Sequence, residues 1–186
     1  TLFGVIKPED ISGLTVYTLS GTLEVYIDGE KKGQVTSEKK FEIFDNILPG
    51  ERLVNIKKAS EVSGAYWEFN KVVEFEKGVN CVISLNLGPR EEFSEGHLIY
   101  AVPKIDSGKP TQLNITFNVE SPLIQIDSFQ PVKVNLDKIS VDLTLDKQHK
   151  ISISKEGFET LEFSFLPDTA QEREKFTTYD INMDVY

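Results

Sequence analysis

Apolar and polar residues alternate at period two along most of this chain, and that pattern limits what it can fold into. Leu23, Val25 and Ile27 lie on one side of an extended segment, with Glu24, Tyr26 and Asp28 on the other. Cys81, Ile83, Leu85 and Leu87 repeat the arrangement, as do Leu113, Ile115, Phe117 and Val119. Ile139, Val141, Leu143 and Leu145 follow, then Leu161, Phe163 and Phe165, and finally Tyr179, Ile181, Met183 and Val185. Successive side chains of a strand point to opposite sides of the pleat, so this spacing predicts strands with one buried and one wet face. Helical spacing is scarce. Only Asp168–Lys175 offers a start signal, with Asp168 as N-cap and Gln171 at the third helical position, and it reads equally well as a polar loop. Short strands divided by turn clusters predict an all-β sandwich fold with little or no helix.

The turns carry their own chemistry. Asp28-Gly29 between alternating residues predicts a type I′ hairpin, which needs positive φ at both central positions. Gly33 is expected to close a larger loop where the chain re-enters the sheet, and Pro49-Gly50 to form a type II turn. A calcium ion takes about six to eight oxygens. The 28–33 loop offers Asp28, Glu30 and carbonyls beside Lys31 and Lys32, so a structural turn is the better reading. A phosphate cradle needs a helix after the glycine loop, and none is expected here.

The order of features is doubled. Two strands end in Ile-Asp, at Ile27-Asp28 and Ile126-Asp127. Each is followed by a loop, an apolar strand, and a polar turn into an alternating strand, "PGERLVNIKK" (49–58) and "DKQHKISISK" (146–155). The expected organisation is two tandem, small antiparallel β-sandwich units. An N-terminal segment, 1–20, adds an edge strand limited by Pro8. Unit 1 spans 21–88, a linker with one short strand spans 89–112, and unit 2 spans 113–186.

Charge and composition exclude several functions. The net charge of −10 is spread evenly, with 11 basic and 15 acidic residues in 1–93 and 9 and 15 in 94–186. An acidic surface repels phosphate backbones and anionic membranes, so no nucleic-acid partner is expected. No apolar run is long enough for a membrane-spanning helix. A chain that begins at Thr1 and not Met is expected to be an expressed fragment or a processed product, either of which leaves room for a signal peptide or anchor cut away. Cys81 is the single cysteine, so no internal disulfide or thiolate metal cluster is possible. It lies on an apolar face and is expected to be a buried thiol. His97 and His149 are the only histidines and lack zinc-ligand spacing. The carboxylates Glu74, Glu76, Asp142, Asp146, Asp180 and Asp184 read as solvated strand faces. No catalytic residue, cofactor or metal is expected.

The segments "VYIDGEKKGQV" (25–35) and "ILPGERLVNI" (47–56), with "ESPLIQIDS" (120–128) and "HKISISKEGFETLEF" (149–163), resemble the PEGA domain. Unit 1 matches the front half of that pattern and unit 2 the back half. Unit 1 has Ser20-Gly21-Thr22-Leu23 at the name-giving position, and unit 2 has Ser128 at the turn glycine. The resemblance implies a repeated β-sandwich of bacterial or archaeal surface and envelope proteins, without catalysis. It also implies a place outside the membrane, held by an N-terminal anchor absent from this chain.

A non-catalytic structural or adaptor module is therefore the expected function, with an unidentified protein as partner. The alternative is a carbohydrate-binding module for cell-envelope glycans, using Tyr17, Tyr26 and Tyr66 as stacking platforms. Trp67 continues the face of Phe69, Lys71, Val73 and Phe75 and is expected in the core. An enzyme would require His149 or Cys81 in an open cleft beside a carboxylate.

Overall fold

The computed structural model describes residues 11–75, 77, 80–104, 111–143, 147–165 and 178–185. The possible helix start at 168–175 lies outside them. The described residues form an all-β fold with one short 3-10 turn, Glu91–Phe93, and no α-helix. The chain divides into two compact units, Thr1–Ala101 with Tyr186, and Val102–Val185.

Unit 1 contains β1 (Ser12–Thr18), β2 (Leu23–Ile27), β3 (Glu30–Val35), β4 (Phe41–Ile47), β5 (Gly50–Lys58), β6 (Phe69–Phe75) and β7 (Asn80–Asn86). The division between units falls inside β8 (Glu95–Lys104). One sheet runs β8-β7-β1-β4 and the other β3-β2-β5-β6. Their inner faces meet in a single core. Leu14, Val16, Ile83 and Leu85 come from the first sheet, and Leu23, Val25, Val54, Ile56 and Phe69 from the second. Trp67 packs against this core, as the alternation predicts. Facing sheets that interdigitate in this way are a sandwich.

Unit 2 contains β9 (Thr111–Phe117), β10 (Leu123–Ile126), β11 (Val132–Lys133), β12 (Lys138–Leu143), β13 (His149–Ser154), β14 (Leu161–Phe165) and β15 (Thr178–Val185). Here β12-β9-β15 lie side by side, as do β11-β10-β13-β14. This repeats β4-β1-β7 and β3-β2-β5-β6 strand for strand. The pairing sense repeats too. β1 joins β4 antiparallel and β7 parallel, and β9 joins β12 antiparallel and β15 parallel. The counterpart of β9 is β1, so the repeat in unit 1 starts at Ser12 and not at Gly21.

Two expectations are corrected. The N-terminal strand is interior to its sheet, between β7 and β4, not at the edge. It begins after Pro8, so its amides are available on both sides. Gly33 lies within β3 and not in a loop: Val25 pairs with Gly33 and Tyr26 with Lys31, leaving Lys32 as a bulge. The Asp28-Gly29 hairpin has the φ values its type requires, 51° and 81°. Gly50 at the Pro49 turn has φ 108°.

Hydrogen bonds align the repeats residue by residue. The Thr18 N–H donates to the Lys40 carbonyl at 2.9 Å, and the Phe117 N–H donates to Asp137 at 2.8 Å. From that anchor, Leu14 faces Phe44 and Leu113 faces Val141. Likewise Val25 faces Gly33 and Ile124 faces Val132. Phe44 and Gly33 in unit 1 therefore correspond to Val141 and Val132 in unit 2.

Candidate functional site

Each unit ties its β2-like strand to its β5-like strand through one aspartate. Asp28 and Asp127 both adopt the left-handed conformation, with φ 51° and 52°. Aspartate tolerates this region because its short side chain bonds locally. The Asp28 N–H donates to the Leu53 carbonyl at 2.8 Å, and its carboxylate accepts the Leu53 N–H at 2.9 Å. The Asp127 N–H donates to the Lys150 carbonyl at 2.7 Å, and its carboxylate accepts the Lys150 N–H at 3.0 Å. A basic side chain one residue earlier meets the second carboxylate oxygen in each unit. Arg52 Nη1 lies 3.3 Å from Asp28 Oδ2, and His149 Nδ1 lies 2.8 Å from Asp127 Oδ2.

The unit 2 version is the more enclosed. The His149 side chain is 4% exposed and that of Asp127 19%, while Asp28 retains 48%. An ionised carboxylate only accepts, so Nδ1 of His149 carries the proton in this bond. The His149 hydrogen bond, joined by the Lys150 amide, holds the Asp127 carboxyl below the usual carboxylate range. Lys147 Nζ lies 3.7 Å from the same oxygen.

This pair stands at the rim of a cleft of about 350 Å³ inside unit 2. Ile124 and Ile126 from β10, Val132 from β11, and Ile139, Val141 and Leu143 from β12 supply its walls. Asp127, Gln130, Asp142, Lys147 and His149 are its polar lining residues, and Phe129 lines it as well. The cleft thus places His149 beside a carboxylate, the geometry an enzyme reading requires. Among the described residues that line it, none is a serine, threonine or cysteine. A histidine–carboxylate pair needs a nucleophile, or a water held against substrate, to do acyl or glycosyl transfer. In the corresponding place of unit 1 stands Arg52, which cannot exchange protons near neutral pH. A shared structural strap explains both pairs.

The three tyrosines do not form one platform. Tyr17 is exposed on β1, its ring 5.5 Å from that of Phe41 on neighbouring β4. Tyr26 lies on β2 in the other sheet, half-buried, with Lys57 Nζ 5.3 Å from its ring centre. Tyr66 follows β5, half-buried, with Lys58 Nζ 4.6 Å from its ring centre. Lys57 and Lys58 are consecutive in a strand and leave it on opposite sides. On Tyr26 and Tyr66, an ammonium group lies over a ring face that a sugar would stack on.

The remaining reactive groups are buried. Cys81 is 2% exposed, and burial pushes its thiol well above the ordinary range. A thiol of that kind is inert, because the thiolate is the reactive form. A thiol-specific disulfide reagent should therefore leave the native chain unlabelled and label one site once urea unfolds it. Rapid labelling of the folded protein would contradict the burial. His97 is pushed down to about 4 by burial alone. Among the described residues no group of three or more His, Cys, Asp or Glu side chains converges as a metal site.

The Asp127–His149 pairing and the cleft were not visible as a site in the sequence. Asp127 and His149 are separated by 22 positions, and only the pairing of β10 with β13 brings them together. The available signal was the repeated Ile-Asp followed by a basic residue at the head of an alternating strand. No protein-family model matches this chain, and neither does any curated protein.

Proposed function

We propose that this chain is a non-catalytic structural or adaptor module, a tandem pair of PEGA-like β-sandwiches from a prokaryotic surface or envelope protein. It acts outside the membrane by contact with partner proteins. One observation carries the reading. The most chemistry-like cluster of the molecule, Asp127 with His149, has a counterpart in Asp28 with Arg52 that makes the same backbone bonds. The cluster is thereby accounted for by folding, and no reaction is needed to explain it.

Surface apolar groups support the contact role. Tyr17, Phe41 and Ile43 are exposed together on β1 and β4, with Tyr17 facing Phe41 and Thr15 facing Ile43. β4 ends its sheet, and such an edge can pair with an added strand. The carbohydrate alternative draws no support from the placement of Tyr17, Tyr26 and Tyr66.

A panel of chromogenic ester, peptide and glycoside substrates tests the reading on wild-type protein and Asp127→Asn. Neither should turn over substrate above buffer. Hydrolysis by wild type that disappears in Asp127→Asn would make the pair catalytic and end the adaptor proposal. Protease treatment of intact cells of the source organism tests the location, with cleavage of the native protein as the expected result.

A further inference from the structure

We propose that unit 2 binds a small, uncharged aromatic compound bearing one hydrogen-bond donor, in the cleft between β10 and β12. This goes beyond the adaptor reading and does not depend on it. The molecule contains its own precedent for the occupant. In unit 1, the Phe44 ring lies directly over Gly33, so closely that a Cβ there would stand 3.0 Å from Phe44 Cε1. That ring packs on the core and occupies the space between the β3 side of one sheet and the β4 side of the other. In unit 2 the corresponding residues are Val132 and Val141, and both line the open cleft. At this position unit 2 carries two valines in place of a glycine and a ring, with apolar walls around them and Phe129 also in the lining.

Size and polarity define the ligand class. An apolar cavity of about 150 Å³ holds benzene, and this cleft measures about 350 Å³, near the low end for small-molecule sites. One ring or two fused rings fit that volume. The walls from Ile124, Ile126, Ile139 and Val141 offer dispersion contacts and no hydrogen bonds. The Asp127 and Asp142 carboxylates are acceptors in a lining that also holds Gln130, Lys147 and His149. A single donor on the ligand, directed to the carboxylates, fixes its orientation, as the few placed polar groups of ligand pockets do.

Indole is the probe. Titrating the full ¹⁵N-labelled chain with indole should give saturable amide shifts in Ile124, Ile126 and Val141, with unit 1 unmoved. The double variant Val132→Gly/Val141→Phe copies the unit 1 arrangement and places a ring in the cleft. It should keep the unit 1 spectrum and lose the indole response, at least tenfold in affinity. Should that variant fail to fold, Val141→Leu fills part of the space and should weaken binding severalfold. Absence of saturable shifts in wild type would overturn the proposal. So would shifts centred on Tyr17 or Tyr66, or an unchanged response in the folded variants. Toluene, which has the ring and no donor, should bind measurably weaker than indole, and equal binding would remove the assigned role of the carboxylates. Failure of indole to bind leaves the substrate panel unaffected, so the two readings fail separately.

Discussion

Asp127→Ala lowers the stability of unit 2 by about 2–4 kcal/mol, because a buried donor left without its acceptor costs about 1–3 kcal/mol and strained backbone adds to it. The carboxylate serves the Lys150 N–H at 3.0 Å and His149 Nδ1 at 2.8 Å. Alanine removes both acceptors and leaves a β-carbon at φ 52° with no side-chain bond to offset that conformation. Asp127→Asn tolerates the left-handed region and retains one oxygen, so it should lose less than half as much. Asp28→Ala should also lose less, because Asp28 is far more exposed and Arg52 keeps its bonds to the Leu48 and Pro49 carbonyls at 3.0 Å. Trp67, the only tryptophan, lies in unit 1, so its fluorescence does not report on the strap. Urea unfolding followed by far-UV circular dichroism, with amide exchange at Ile126 and Lys150, measures the effect. A loss under about 1 kcal/mol would show that the strap is not what holds β10 to β13.

Acid should destabilise unit 1 between about pH 6.5 and pH 4. His97 sits on β8 opposite Ser84, is 8% exposed, and has its pKa pushed from 6.5 down to about 4 by burial. In the unfolded chain its imidazole takes up a proton near the ordinary value, while the folded chain keeps it neutral. The unfolded state therefore binds more protons within that window, and stability falls as pH drops through it. A shift of this size corresponds to about 3 kcal/mol at the lower end. Above the window the full contribution is present. In unit 2, Asp127 brings a separate acid loss at lower pH. Its folded pKa is depressed, so its contribution is present above the ordinary 3.8 and disappears as pH falls through the folded value. His97→Gln removes the titrating group, and its stability should then be nearly flat from pH 7 to pH 4.5. A wild-type profile that is already flat there, measured by urea midpoints followed through Trp67, would exclude a buried neutral His97.

Much of the fold is local in origin, and for that reason legible. Alternation at period two identifies which side of Leu23–Ile27 or Cys81–Leu87 is buried, because the pleat alone decides it. Asp28-Gly29 specifies its hairpin through two φ values, and no distant residue is needed. The burial of Cys81 and the packing of partly buried Trp67 against the core follow from the face each shares with its neighbours. The repeated Ile-Asp pair marked the duplication, since both aspartates occupy the same backbone position.

Other features depend on which strand lies beside which. Nothing in Ser12–Thr18 distinguishes an edge strand from one paired on both sides, and β7 enters that sheet parallel from more than sixty positions away. Gly33 looks like a loop residue until the Phe44 ring is seen to cover it. The candidate cleft arises from the same kind of non-local fact. Val141 and Val132 are ordinary strand residues in the sequence, and only the matching strand registers of the two repeats show that they stand where Phe44 and Gly33 meet in unit 1. By itself the sequence determined the all-β class, the inward and outward faces, the hairpin turn and the duplication, because each rests on spacing between near neighbours. The tertiary structure alone decided strand order, the Asp127–His149 contact and the open volume in unit 2. Those depend on distances across the sandwich, where side-chain size and pairing partner act together and no single segment carries the information.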